Sequence, residues 1–233
     1  MKHVQLYSAG LDSFIGYHYL KYEKGVNVLP IYFNLKTQYS YHEIITIRKS
    51  LPETSIEDLF TFTTIENTDA HVPYRNLFLV LGVASKYTYI DDEINIYINS
   101  MADDNVSDQG PKFLEQMNDI VNFHSCKAKF KVTSSMPLEW TKFDAVEWYI
   151  KNGFNPEHLV SSTFSCYNPV DGKECLSCKA CFRKNTVLAY VGIFRPFRNQ
   201  EIIDNYKKNL NKYHHKRRKA MEMYLDWLEE RNQ

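Results

Sequence analysis

Cys166, Cys175, Cys178 and Cys181 are spaced Cys-x8-Cys-x2-Cys-x2-Cys, so one short segment supplies four thiolates that a single ion can share. In a reducing compartment such clustering points to a metal before a disulfide. Four thiolates complete a closed tetrahedral Zn²⁺ site. Asn168-Pro169-Val170-Asp171-Gly172 reads as a turn that brings the first cysteine back to the other three. An iron–sulfur cluster is the chemical competitor, weakened by the lack of a ferredoxin-type cysteine after Cys181. Four unmetallated buried thiols are the bland alternative. Cys126 stands apart and reads as ordinary core.

The rest of the chain must be built as a globular scaffold for that segment. Its 233 residues suffice for one generous domain with a sizeable core. The longest apolar stretch, Leu77 to Ala84, is far too short to cross a bilayer. Lys+Arg 28 offset Asp+Glu 28, so no protein-wide field gathers nucleic acid or anionic lipid, and any anion site must be local. Neither a membrane nor a nucleic-acid partner is expected. Met1-Lys2-His3-Val4 leads into no signal-type apolar region, which sets the expectation of a cytoplasmic chain.

Strand-like and helix-like stretches alternate. Lys2–Tyr7 reads as a buried strand and 13–24 as a helix; 27–33 reads as a strand, 39–50 as a helix and 58–63 as a third strand. Leu77, Phe78, Val80, Leu81 and Ala84 pattern a buried helix to about Tyr87. Strand-like 94–98 follows, then a helix opened by Pro111 over 112–123, a strand at 128–132 and a helix over 141–152 stopped by Gly153. The alternation predicts an α/β fold with a mainly parallel sheet. Residues 1–200 read as the main domain and 201–233 as a helical extension. In that extension Lys212, Lys216, Arg217, Arg218 and Lys219 read as a solvated helix face, and Tyr224, Trp227 and Leu228 as packing residues.

The second chemical motif is Ser8-Ala9-Gly10-Leu11-Asp12-Ser13, directly after the first strand. A strand end opening into a helix start offers unpaired N–H groups and the positive end of the helix dipole to phosphate oxygens. Gly10 reads as the residue of unusual backbone conformation. Asp12 beside phosphates implies Mg²⁺ or a hydrogen-bond role at the helix start, and Ser8 and Ser13 add hydroxyls. An ordinary turn with Asp12 or Ser13 as N-cap is the alternative.

Together the two motifs resemble the 7-cyano-7-deazaguanine synthase family, QueC, in which a strand precedes Ser-Gly-Gly-x-Asp-Ser and Ser-Cys-Tyr precedes Cys-x2-Cys-x2-Cys. Val72-Pro73-Tyr74-Arg75-Asn76 resembles the family's Val-Pro-x-Arg-Asn, Pro111-x-Phe113 a helix start, and Pro137-Leu138 with Thr141-Lys142 a further pair of matches. Ser165-Cys166-Tyr167 completes a resemblance that spans residues 4–190. It implies a Rossmann-like adenine-nucleotide α-hydrolase sheet with helices on both faces and a C-terminal zinc-binding segment. It implies ATP, Mg²⁺ and Zn²⁺ as cofactors. The implied reaction activates 7-carboxy-7-deazaguanine with ATP, forms the amide with ammonia, then activates and dehydrates that amide to the nitrile.

Carried onto this chain, the resemblance places ATP at Tyr7, Ser8, Ala9, Gly10, Leu11, Asp12 and Ser13, with Asp12 and Ser13 in the chemistry. Substrate falls to Arg75, Asn76, Asp108 and Lys142, metal to the four cysteines, and the expected assembly is a homodimer. Lys142 also reads as a surface helix residue, and Asp103, Asp104 and Asp108 as solvating loop positions.

The chain departs from the family in three places. Ala9 stands for a glycine and is expected to keep an ordinary turn with negative φ; Tyr39-Ser40 stand for Arg-His; Gly110 stands for the arginine of Ser-Gly-Tyr-Pro-Asp-Cys-Arg. An adenylating enzyme serving a different amine, a tRNA thiolase of the same loop type and a zinc-stabilised nucleotide-binding partner protein are the alternatives.

Overall fold

The computed structural model describes residues 1–58, 72, 74–103 and 107–231. Along the chain run β1 (Lys2–Leu6), α1 (Leu11–His18), β2 (Val28–Asn34), α2 (Ser40–Ser50) and β3 (Ser55–Asp58). They are followed by α3 (Arg75–Tyr87), β4 (Glu93–Ile98), α4 (Pro111–Phe123), β5 (Lys129–Ser134) and α5 (Lys142–Lys151). The chain then forms α6 (His158–Ser161), α7 (Lys179–Tyr190), α8 (Gln200–Lys208) and α9 (His215–Arg231). Among the described residues five strands form one sheet in the order β3-β2-β1-β4-β5, and every neighbouring pair is parallel.

Parallel strands need crossovers, and crossovers put helices on both faces. The pleat divides the side chains accordingly. Ile94, Ile96 and Ile98 of β4 join Phe130 and Val132 of β5 under α3 and α4, through Val80, Val83, Phe113 and Met117. On the opposite face Val28 and Tyr32 of β2 pack with Phe14 and Ile15 of α1 and with Phe143, Val146 and Tyr149 of α5. A third cluster joins Cys166 and Cys181 to Phe182, Tyr206, Met221, Tyr224 and Leu225, so α7, α8 and α9 share one core with the cysteine segment. Tyr224 is fully buried, and its hydroxyl donates to the Arg195 carbonyl at 2.7 Å. Among the described residues no helix is long and apolar enough to cross a membrane.

Several local expectations shift. Phe14 N–H bonds the Gly10 carbonyl at 3.0 Å, so α1 begins at Leu11, and Asp12 and Ser13 sit in its first turn rather than at the N-cap. β3 lies earlier than expected because its register is set by Ile31–Asn34 of β2; positions 59–63 of the expected strand lie outside the described residues. Phe78 is exposed, because the buried stripe of α3 runs through Val80, Val83 and Ala84. Cys126 is exposed rather than core: it lies in the turn between α4 and β5, its N–H bonded to Thr88 Oγ1. Lys216 is no freely solvated charge but pairs with Asp144 and Glu147 of α5, tying α9 to the domain.

Candidate active site and cysteine centre

In an open parallel sheet, ligands bind at the carboxyl ends of the strands where the strand order reverses. Here that place is between β1 and β4. A cavity of ≈ 350 Å³ opens there, lined by the 8–13 turn, the ends of β2 and β4, the starts of α2 and α3, and Lys142, Phe164, Arg183 and Lys184.

The 8–13 turn is closed by its own serines. Ser8 N–H bonds Ser13 Oγ at 3.3 Å, Ser13 Oγ donates to the Gly10 carbonyl at 3.0 Å, and Gly10 N–H bonds Ser8 Oγ at 3.3 Å. Gly10, the N-cap of α1, supplies no side-chain cap. The first N–H groups of the helix therefore face the cavity with the dipole's positive end behind them.

The unusual backbone lies one residue earlier than expected. Gly10 is extended at φ −66°, whereas Ala9 takes φ 55°, the conformation its methyl was expected to forbid. Ala9 is fully buried, and its carbonyl accepts from Phe164 N–H at 2.8 Å. That bond ties the turn to the chain just before Cys166 and holds the left-handed residue in place.

Of the predicted residues, Tyr7, Ser8, Gly10, Leu11, Asp12, Ser13, Arg75, Asn76 and Lys142 line the cavity together, while Ala9 lies behind its wall. Asp12 Oδ2 sits 2.5 Å from Lys142 Nζ, so an ion pair bridges the first turns of α1 and α5. Lys142 is thus a cavity residue and not a surface one. Asp108 holds the start of α3: its Oδ2 accepts from Asn76 N–H at 3.2 Å and its carbonyl from Asn76 Nδ2 at 2.9 Å. Asp103 likewise accepts from Lys142 N–H at 3.1 Å, so these two acids serve helix starts rather than merely solvating a loop. Asp104, Asn105, Val106 and Pro73 lie outside the described residues.

Other cavity residues carried no sequence signal, among them Glu43, Gln109 and Lys184. Glu43, on the first turn of α2, accepts from Tyr32 Oη at 2.7 Å. Burial pushes its carboxyl up to about 7, against the opposing pull of the Tyr32 hydrogen bond and the Arg75 charge. Gln109 presents a buried amide oxygen that no described group satisfies, and it faces the same cavity. Lys184 donates to the Thr163 carbonyl at 2.8 Å and to Glu174 at 2.9 Å. Arg195 pairs with the other Glu174 oxygen at 2.6 Å. Burial raises Glu174, but the two cations outweigh it and hold the carboxyl below its ordinary value. No periodicity or spacing marks such residues; the fold alone brings them to one place.

Beyond this network stand the cysteines. Their four Sγ atoms lie within 4.8 Å of one another, with Cys175 and Cys181 4.0 Å apart. Backbone N–H groups already point at two of them: Cys175 N–H at Cys166 Sγ, 3.2 Å, and Cys181 N–H at Cys178 Sγ, 3.5 Å. Without a cation the thiols compete. Hydrogen bonding from Cys166 and Cys181 holds Cys178 low, while the bond to Cys178 pushes Cys166 up to about 12. A bound cation is what lets all four ionise together. Gln38 Nε2 bonds the Tyr167 carbonyl at 3.0 Å, so the loop after β2 is anchored on this segment too.

Comparison with known proteins follows the same outline. Residues 36–192 match the model of the family described as "Queuosine biosynthesis protein QueC". A 7-cyano-7-deazaguanine synthase from Buchnera aphidicola is 28% identical over 167 residues, 66% of this chain and 67% of that protein. The synthase of the same name from Leptospira biflexa is 25% identical over 60% of this chain, and the chain matches 57% of that protein's length. The one from Leptospira interrogans is 25% identical over 82% of this chain and 88% of its own length. Among solved structures, the U34-tRNA thiolase NcsA from Methanococcus maripaludis with its 4Fe-4S cluster aligns with a TM-score of 0.42 at 16% identity, over 98% of this chain and 73% of that one. With the family match covering well over half of its length, the chain belongs to the QueC family.

Proposed function

We propose that the protein is an ATP-dependent carbon–nitrogen ligase that adenylates 7-carboxy-7-deazaguanine and joins it to ammonia, with 7-cyano-7-deazaguanine as the final product. One observation carries the reading: the anion-binding turn and a pair of substrate-facing groups, Arg75 and Gln109, open into the same cavity. The N–H groups at the start of α1 and the Ser8 hydroxyl receive the phosphates, Asp12 would hold the Mg²⁺ that supplies charge at the departing pyrophosphate, and Lys142 adds its own positive charge there. Arg75 orients the acceptor carboxylate. The unsatisfied Gln109 amide oxygen suits the N–H donors of a guanine-like edge, and Tyr39, Phe164 and Tyr167 line the flat slot such a base needs.

The cysteine cluster supports one structural Zn²⁺. A Zn–S bond of about 2.3 Å places tetrahedral sulfurs about 3.8 Å apart, close to the spacing here. The thiolates of a four-iron cluster each bind a different iron and need wider separation. Zinc analysis of the purified chain should give one ion per molecule; iron with sulfide and a brown colour would overturn the assignment.

The test is an incubation with ATP, ammonia and 7-carboxy-7-deazaguanine read by mass spectrometry. The nitrile is the expected product. Gly110 stands where the family resemblance implies an arginine, which favours conjugation to another amine as the second reading. Accumulating amide without nitrile would select that reading, and no consumption of the acid would exclude both.

A further inference from the structure

We propose that Glu43 is the proton acceptor for the incoming amine. This rests on the ligase reading and adds to it a catalytic role for a residue outside the phosphate turn and the cysteine cluster. Glu43 opens on the cavity from the first turn of α2, within reach of the Arg75 charge. Its position is set: Tyr32 Oη on β2 donates to Oε2 at 2.7 Å, leaving the other oxygen for a ligand. The titratable and charged groups that act on it are Tyr32, Tyr39 at the start of its own helix, and Arg75 on α3. One guanidinium against one partly buried carboxyl leaves its protonation undecided near neutrality, where burial holds it.

That balance suits amide formation. The acyl carbon of the adenylate gains a bond to the amine nitrogen and loses its bond to the phosphate oxygen, whose electron pair leaves with AMP. The nitrogen, positive after attack, must shed a proton, and an ionised Glu43 takes it. When the acceptor acid first binds as a carboxylate, a protonated Glu43 spares it a neighbouring negative charge. A permanently ionised carboxylate would repel the substrate, and a permanently neutral one could take no proton.

The two half-reactions separate this role from the reading beneath it. Exchange of labelled pyrophosphate into ATP, dependent on 7-carboxy-7-deazaguanine, reports adenylation alone. In Glu43→Gln, which keeps the Tyr32 hydrogen bond, exchange should stay within about threefold of wild type, while amide formation at fixed free ammonia falls about a hundredfold. Wild-type amide formation should rise with pH through about 7, and the variant should lose that limb. Hydroxylamine, whose less basic nitrogen leaves a more acidic N–H after attack and can shed it to water, should suffer less than ammonia. If the glutamine variant does not fold, Glu43→Asp should show the same split between exchange and transfer. Equal loss of exchange and transfer in a folded variant, or an unchanged transfer profile, overturns the role while leaving the ligase reading intact. Absence of exchange in the wild type overturns the reading and this role with it.

Discussion

Ala9 holds a methyl in left-handed backbone, which costs an L-residue about 1–2 kcal/mol. Glycine would relieve that, but it has more unfolded freedom to lose, about 0.5–1 kcal/mol, and gives up a buried methyl worth about 0.8 kcal/mol. The two sides nearly cancel. Ala9→Gly should therefore leave stability within about 1 kcal/mol of wild type in urea melts, whereas Ala9→Val, β-branched at positive φ, should lose more than about 2 kcal/mol. Gly16 shows the opposite case, because a Cβ there would stand 2.5 Å from Asn99 Oδ1 and 2.6 Å from Ser135 Oγ. Gly16→Ala should cost about 1–3 kcal/mol by overpacking. For catalysis, Asp12→Ala should slow pyrophosphate release by about a hundredfold, measured with saturating ATP. An active Asp12→Ala enzyme would reduce the residue to a helix-start partner for Lys142.

At the scale of elements, the cysteine segment and the phosphate turn are one construction. Phe164 N–H on the Ala9 carbonyl crosses from one to the other, Gln38 on Tyr167 ties the loop after β2 to the same segment, and Lys184 braces that segment between Thr163 and Glu174. Removing the metal should therefore weaken ATP binding as well as loosening 166–181, and Cys178→Ala should lose metal and nucleotide affinity together in calorimetry. Glu174 is the acid-sensitive member. Its folded value lies below the unfolded one, so its contribution is present above the unfolded carboxylate range and is lost as pH falls through the folded value. Near-ultraviolet circular dichroism should show tertiary loss only once pH has fallen below the ordinary carboxylate range. Glu174→Gln strands two cations, one of them with a side chain only 1% exposed, and should destabilise the chain by about 3–5 kcal/mol at neutral pH.

For the whole molecule, the sheet was legible because β1, β2, β4 and β5 and the helices between them stand out as separate stretches, and parallel order follows from their alternation. The anion-binding turn and the cysteine spacing were legible for a similar reason: both are continuous in sequence. What could not be read was placement set by distant partners. β3 takes its register from β2, Cys126 surfaces in a turn pinned to Thr88, and Lys216 finds its acids across 69 and 72 positions. Glu43 and Gln109 reach the cavity from different crossovers, so no local pattern distinguishes them from surface residues. In the proposed reaction the acceptor's own carboxylate oxygen attacks the α-phosphate. Heavy oxygen in the carboxylate of 7-carboxy-7-deazaguanine should appear in the AMP released, with pyrophosphate as the other product. Unlabelled AMP, or ADP with orthophosphate, would contradict it.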